Sequence, residues 1–283
     1  MFPHPPSRAK SCIALLAILT LGLGGCGHAP EKPANARLNQ AIQFNQNGLR
    51  ALQNGDPATA AGHFEAALRL DVSIENYDGI VSDRLYLARA LEAKGDPLAA
   101  RKQLDALLAE TFPLTAAQRA QTKTALALWA LRRGKLDEAG RMADDALQAC
   151  AGTCNNAAPI LNIQARLALE RGDSSTALAA ATSALQMLPN PDQLAERANA
   201  LRTIGLAKLL RGEAPAALES LQQALSLDRE LGLPERIVDD LLQLRRVHLA
   251  LGNASEANEI YRRALTVAEA SADAALLDRV RGQ

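Results

Sequence analysis

The stretch GDPLAARKQLDALL, residues 95–108, repeats the opening of GDPATAAGHFEAAL, residues 55–68, at a distance of 40 residues. Gly, Asp and Pro in that order form a compact punctuation mark. Gly adopts the left-handed conformation just past a helix end without a Cβ clash. Asp is a good N-cap, and Pro at the first helical position forfeits only an N–H that has no helical partner. The tripeptide therefore reads as the end of one helix and the start of the next. Before it, Leu87, Leu91 and Lys94 stand at helical spacing with Ala88 and Ala90 alongside. After it, Leu98, Leu104, Leu107 and Leu108 recur, with Ala residues on one face.

The punctuation returns throughout the chain. Matching contexts occur at Gly55, Gly95, Gly134 (RGKLDEA), Gly172 (RGDSSTA), Gly212 (RGEAPAA) and Gly252 (LGNASEA), with spacings of 40, 39, 38, 40 and 40 residues. Five spacings within two residues of one another mark an internal repeat. Asp56, Asp96, Asp173 or Asn253 follows the Gly in four of the six units and is expected to cap the second helix. Composition agrees with helix throughout. Aromatic residues make up 3 % of the 283 residues and hydrophobic ones 48 %, dominated by Ala and Leu, the strongest helix formers. With 31 basic and 31 acidic residues, no bulk charge calls for nucleic acid.

Around each Gly the units resemble tetratricopeptide repeats. The family pattern is a small residue, the turn Gly seven positions later, then Ala, an apolar residue and Ala at further steps of five, four and three. The chain gives Gly48, Gly55, Ala60, Phe64, Ala67, then Ala88, Gly95, Ala100, Leu104, Leu107. The third unit reads Ala127, Gly134, Ala139, Ala143, Ala146, and the fourth Ala165, Gly172, Ala177, Ala181, Ala184, then Pro189. The last two read Gly205, Gly212, Ala217, Leu221, Ala224 and Arg245, Gly252, Ala257, Tyr261, Ala264. Leu107 and Arg245 depart from the small-residue pattern. The family period is about 34 residues, so each unit here carries extra residues, in longer helices or in longer loops between units.

The resemblance covers about residues 38–270 and implies an all-α, right-handed α-solenoid of six hairpins, each burying its apolar face on the next. Residues 271–283 are expected to cap its end, with Ala275, Leu276 and Val280 inward and Asp278, Arg279 and Arg281 outward.

Residues 1–25 read as a segment outside this fold. Arg8 and Lys10 precede an apolar run, residues 12–23, too short for a permanent membrane helix of ~20 residues but suited to a secretory signal. The run ends in Leu23-Gly24-Gly25-Cys26, which resembles the lipobox of bacterial lipoproteins. That resemblance implies cleavage before Cys26 and a diacylglyceryl thioether on its sulfur. A third acyl chain on the new amine would complete a stable anchor. Gly27 in place of Asp implies the outer membrane, facing the periplasm; an inner-membrane or surface-exposed placement stays open. Residues 26–37 would then be the lipidated Cys and a flexible tether rich in Pro and Ala.

No catalytic constellation emerges from the residue pattern, and no cofactor is expected. His28, His63 and His248 have neither a carboxylate nor a Cys at ligand spacing, so no metal site is expected. His63, next to Phe64, reads as a packing or surface residue. No phosphate-loop signature occurs, and Trp129 reads as core or groove packing. Cys150 and Cys154 lie between the third and fourth units, where three intervening residues allow a metal pair or a local disulfide. In an oxidising periplasm the disulfide is the better reading.

The tetratricopeptide family usually binds peptides on the groove lined by first helices. Carried over from the Gly register, the groove positions are Asn45, Leu49, Arg89, Leu128, Arg132, Asn162, Arg166, Asn199, Arg202, Leu206, Asp239 and Arg246. Arg89, Arg166 and Arg246 are equivalent and, with Arg202 and Asn199, would form a line of forked donors suited to carboxylates or an extended backbone. The expected function is that of a lipid-anchored scaffold without catalysis, holding an envelope protein or peptide. A pilotin-like assembly role for a secretin, type IV pilus or secretion system is the alternative, and a small-ligand carrier or enzyme accessory a more distant one.

Overall fold

The computed structural model describes residues 35–109, 113–150, 157–188 and 193–283. The expected signal segment, Cys26 and the tether up to residue 34 lie outside the described residues, as does Cys154. Among the described residues every regular element is an α-helix. The first hairpin pairs α1 (Ala36–Gln53) with α2 (Pro57–Ser73), and the second α3 (Tyr77–Ala93) with α4 (Pro97–Leu107). The third joins α5 (Ala116–Leu131) to α6 (Leu136–Cys150), and the fourth α7 (Ala158–Glu170) to α8 (Ser174–Gln186). Then come α9 (Leu194–Leu210) with α10 (Ala214–Glu230), α11 (Pro234–Ala250) with α12 (Ala254–Ala270), and a final α13 (Ala274–Arg281). Residues 36–283 form one compact unit, an α-solenoid of consecutively packed helix pairs.

The turns explain the period. All six hairpin glycines lie at positive φ, between 67° and 87°. Three residues between hairpins share that conformation: Glu75 (φ 53°), Gly232 (φ 64°) and Ala272 (φ 55°). At both ends of the stack left-handed residues therefore recur every 20 positions, at 55, 75 and 95 and again at 212, 232, 252 and 272. A helix of 17 residues and a turn of three fill each interval, as in α2, α3 and α10 to α12. Here the residues beyond the usual period lengthen the helices. In the middle of the stack the opposite holds: α4 has 11 residues and α7 and α8 have 13 each, and the segments between hairpins are longer. Asp56, Asp96 and Asp173 cap as expected, each accepting from the backbone N–H three residues on at 3.0 Å. Asn253 makes no such bond, and nothing in the structure explains the difference.

Packing within each hairpin depends on small residues. The Ala five positions after every turn Gly is fully buried, and so is the residue seven further on, Leu107 included. A Cβ on Gly48 would come 2.7 Å from the Phe64 ring, and one on Gly205 would come 2.6 Å from Leu221 Cγ. Two sequence expectations fail at this level. Leu98 is 78 % exposed, because the buried stripe of α4 runs through Ala100, Leu104 and Leu107, and Leu98 falls off that face. Ala275 is exposed, since Leu276 and Val280, one turn apart, define the inward face of α13. Arg245 fits where the family has a small residue because it lies over the Tyr261 ring at 4.8 Å and donates to the Gln283 carbonyl at 3.2 Å.

Each first helix touches the next, from α1 and α3 through α11 and α13, whereas no two successive second helices approach with their backbones. The first helices thus form the closely packed side of the stack.

These packing contacts set opposite expectations for two glycines. Gly205→Ala should destabilise by about 1–3 kcal/mol through overpacking. Gly62→Ala, on an open face of α2 with nothing within 4 Å, should stabilise by about 0.5–1 kcal/mol through helix propensity. Urea unfolding of both variants checks the pair, and an unaffected Gly205→Ala would contradict the close helix crossing.

Candidate functional site

The polar residues that the Gly register places on the first helices divide into two groups. The larger group bridges neighbouring first helices. Asn45 on α1 donates to Asp83 on α3 at 2.6 Å. Asn162, 7 % exposed on α7, donates to the Glu196 carbonyl at 3.0 Å and its carboxylate at 2.7 Å. Arg132, the C-cap of α5, beside Arg133, donates to Glu92 on α3 at 3.0 Å. Asn199 accepts from Arg236 on α11 at 2.6 Å and from Arg202 at 3.2 Å. Arg202 donates to Asp240 at 2.6 Å and also to Asp228, its side chain 14 % exposed. On this packed side a polar group without a partner is costly, and the next helix supplies one. Asn45, Asn162, Asn199 and Arg202 are therefore structural links, Arg132 is an exposed link to Glu92, and the expected line of free donors loses Arg202 and Asn199.

The second group stays open to solvent. Arg89 is exposed and makes no hydrogen bond or ion pair among the described residues. Arg166 faces Glu170 at 4.0 Å, both half exposed. Arg246, also exposed, donates among the described residues only to Gln243 on its own helix, at 2.8 Å. Leu49, Leu128 and Leu206, at the equivalent position of the intervening units, are half-buried. Asp239, although half exposed, belongs with the bridging residues, since it pairs with Arg279 on α13 at 3.1 Å.

Sequence reasoning missed a matched pair of buried sites. Arg202 lies between Asp228 and Asp240, which are 1 % and 0 % exposed. The same three positions of the first hairpins hold Asn45, Asp71 and Asp83. Both Asp residues are buried there too, at 4 % and 1 %, and among the described residues no basic side chain pairs with them. Asn45 and Asn76 each donate to one carboxylate, at 2.6 and 2.8 Å, and Asp83 Oδ2 has no hydrogen-bond partner. Burial, reinforced by the Asp71 carboxylate, pushes Asp83 up to about 7, against the pull of Asn45. Burial also pushes Asp240 up to about 6 in spite of Arg202, leaving it ionised at neutral pH. The repeated 12-residue Asp spacing was visible in the sequence, but it spans the turns between hairpins, and only the hairpin glycines set the register.

The remaining candidates have structural roles. Trp129 is buried, donates from its indole N–H to the Pro97 carbonyl at 2.9 Å and carries Arg101, Arg133 and Lys135 over its ring at 4.4–4.9 Å. His63 lies 5.9 Å from the Phe44 ring. Cys150 closes α6, buried and disulfide-bonded; Cys154, its expected partner, lies outside the described residues. Among the described residues no three His, Cys, Asp or Glu side chains gather as a metal would require, and no helix is long and apolar enough to cross a membrane.

No protein-family model matches the chain, and no curated protein matches it in sequence. Solved structures do. PilW, a widely conserved type IV pilus biogenesis factor, aligns over 85 % of this chain and 97 % of its own at 19 % identity, with a TM-score of 0.56. The pilF protein of Pseudomonas aeruginosa covers 87 % and 98 % at 16 % identity, TM-score 0.53. A Rap protein complexed with competence and sporulation factor covers 82 % and 66 % at 14 % identity, TM-score 0.61. At these identities the likeness is one of fold, that of a tetratricopeptide-like solenoid.

Each buried site can be tested by substitution, and both Asp83 and Asp240, raised by burial, make stability fall as pH rises above about 4. Arg202→Met strands two buried carboxylates and should cost about 3–5 kcal/mol. At the other site the folded state holds a proton on Asp83 up to about pH 7, which the unfolded chain releases near its ordinary 3.8. Stability should therefore fall as pH rises from about 4 to 7. Asp83→Asn keeps the bond from Asn45 and should flatten that decline, as should Asn45→Arg, which introduces the cation found at the other site. Denaturant unfolding at pH 5 and pH 8 measures both effects.

Proposed function

We propose that the chain is a membrane-anchored scaffold that binds an envelope protein or peptide on the face of its first helices and performs no catalysis. The observation that carries this reading is the division just described. Most polar groups on that face bridge helices, while Arg89, Arg166 and Arg246 keep forked donors exposed between half-buried leucines. The likeness to a Rap protein complexed with its factor supports use of this architecture for recognition.

The anchor is the lipidated Cys26, and the site of action the periplasmic face of the outer membrane. Both rest on the Leu23-Gly24-Gly25-Cys26 pattern and on Gly27. Cys150 and Cys154 form the disulfide between the third and fourth units. The second reading is an assembly factor for a type IV pilus or secretin. It is favoured by near-complete mutual coverage with PilW and pilF.

Two measurements test the proposal. Cys26→Ala should abolish fatty-acid labelling and move the protein out of the membrane fraction; continued labelling would remove the anchor from the proposal. A photocrosslinker at Gln121 or Leu206, on first helices, should capture one defined partner, and one at Glu219, on α10, should not. Crosslinks confined to Glu219 would overturn the groove. In cells lacking the protein, unchanged secretin multimers would exclude the pilus reading alone.

A further inference from the structure

The sixth residue before each turn glycine reads Leu49, Arg89, Leu128, Arg166, Leu206, Arg246 along the six hairpins. Leu and Arg alternate without exception. Each lies one helical turn beyond the position from which Asn45, Asn162 and Arg202 reach the neighbouring first helix. Each also follows the residue packed against the second helix. The six side chains therefore form one row along the packed side of the stack, with the arginines exposed and the leucines half-buried.

The row is electrostatically unbalanced. Glu92 is engaged by Arg132 and Arg133, and Asp239 by Arg279. Arg89 has no acidic partner among the described residues, and Arg246 has only the neutral Gln243. Glu170 stands at 4.0 Å from Arg166 with both side chains half exposed, an arrangement that contributes little. Packed helices lie about 8–10 Å apart, so arginines on alternate first helices recur every ~16–20 Å. A chain in the extended polyproline II conformation rises about 3.1 Å per residue with about three residues per turn, so it covers that distance in about five or six residues and turns every third side chain to the same face.

We propose that this row recognises an extended acidic segment of the partner, with carboxylates about six residues apart and an apolar side chain midway between them. The proposal rests on the scaffold reading above and specifies its ligand. Each carboxylate accepts the fork of one arginine. The midway side chain covers the leucine of the intervening hairpin, and the spacing of the hairpins sets the register.

The test uses the full chain in detergent and a fluorescent 17-residue peptide with Leu and Glu alternating at every third position in a Ser/Thr/Ala background. Anisotropy should show binding that a scrambled peptide of the same composition reproduces at least tenfold more weakly. Arg89→Ala, Arg166→Ala and Arg246→Ala should each weaken it about threefold. Arg166→Glu should weaken it further and regain affinity when the central Glu of the peptide becomes Lys. These surface changes leave the helix bridges intact, and circular dichroism checks the fold. Equal binding of patterned and scrambled peptides, or no binding of either, overturns the spacing rule. The groove itself is judged separately by the crosslinks at Gln121 and Leu206. Arginine-dependent retention on phosphatidylglycerol vesicles without peptide binding would assign the row to lipid headgroups and overturn the proposal.

Discussion

A helix that must reverse direction within three residues needs one residue in the left-handed region, and the rest of this stack depends on where that residue falls. The six hairpin glycines meet the requirement without strain. Glu75 and Ala272 meet it between hairpins at some cost in backbone energy. Where these residues recur every 20 positions, helix length is fixed and successive helices stay in phase. The same small-residue positions then meet at every crossing, which explains why the Ala five residues past each glycine is buried six times over.

Close approach of the first helices brings a second constraint. Polar side chains there are sheltered from water and must find partners on the neighbouring helix. The bonds from Asn45, Asn162 and Arg202 meet that need and, with that of the exposed Arg132, tie unit to unit at separations of 34 to 40 residues. Among the described residues the α5–α7 junction has no such bond, and the disulfide-bonded Cys150 stands beside it.

Repetition permits divergence at a fixed position. Arg202 compensates two buried carboxylates near the end of the stack. Asn45, in the same register, is neutral and donates one hydrogen bond to the corresponding pair. Burial there pushes the Asp83 carboxyl up to about 7, so it holds a proton further toward neutral pH than an ordinary carboxyl does. Both sites therefore lose stability as pH rises above about 4, the first hairpins over the wider range.

Much of this was legible in the chain. Glycine at a helix stop, Asp at a cap and Ala at a crossing are requirements of local geometry, so residue type and spacing alone determined the all-helical class, the six hairpins and their phase. The groove residues were legible only as a set. Whether a given Asn or Arg faces solvent or the next helix depends on what stands some 38 residues away and how closely two helices approach. For that reason Arg202 and Arg166 looked alike in sequence, while the fold made one a buried bridge and left the other exposed. Leu98 shows the same limit for apolar residues, since its face was settled by the packing of α4. The sequence by itself determined the architecture, through conformational needs that each residue meets locally. The tertiary structure alone decided which polar groups remain free, because burial and pairing are properties of two helices at once.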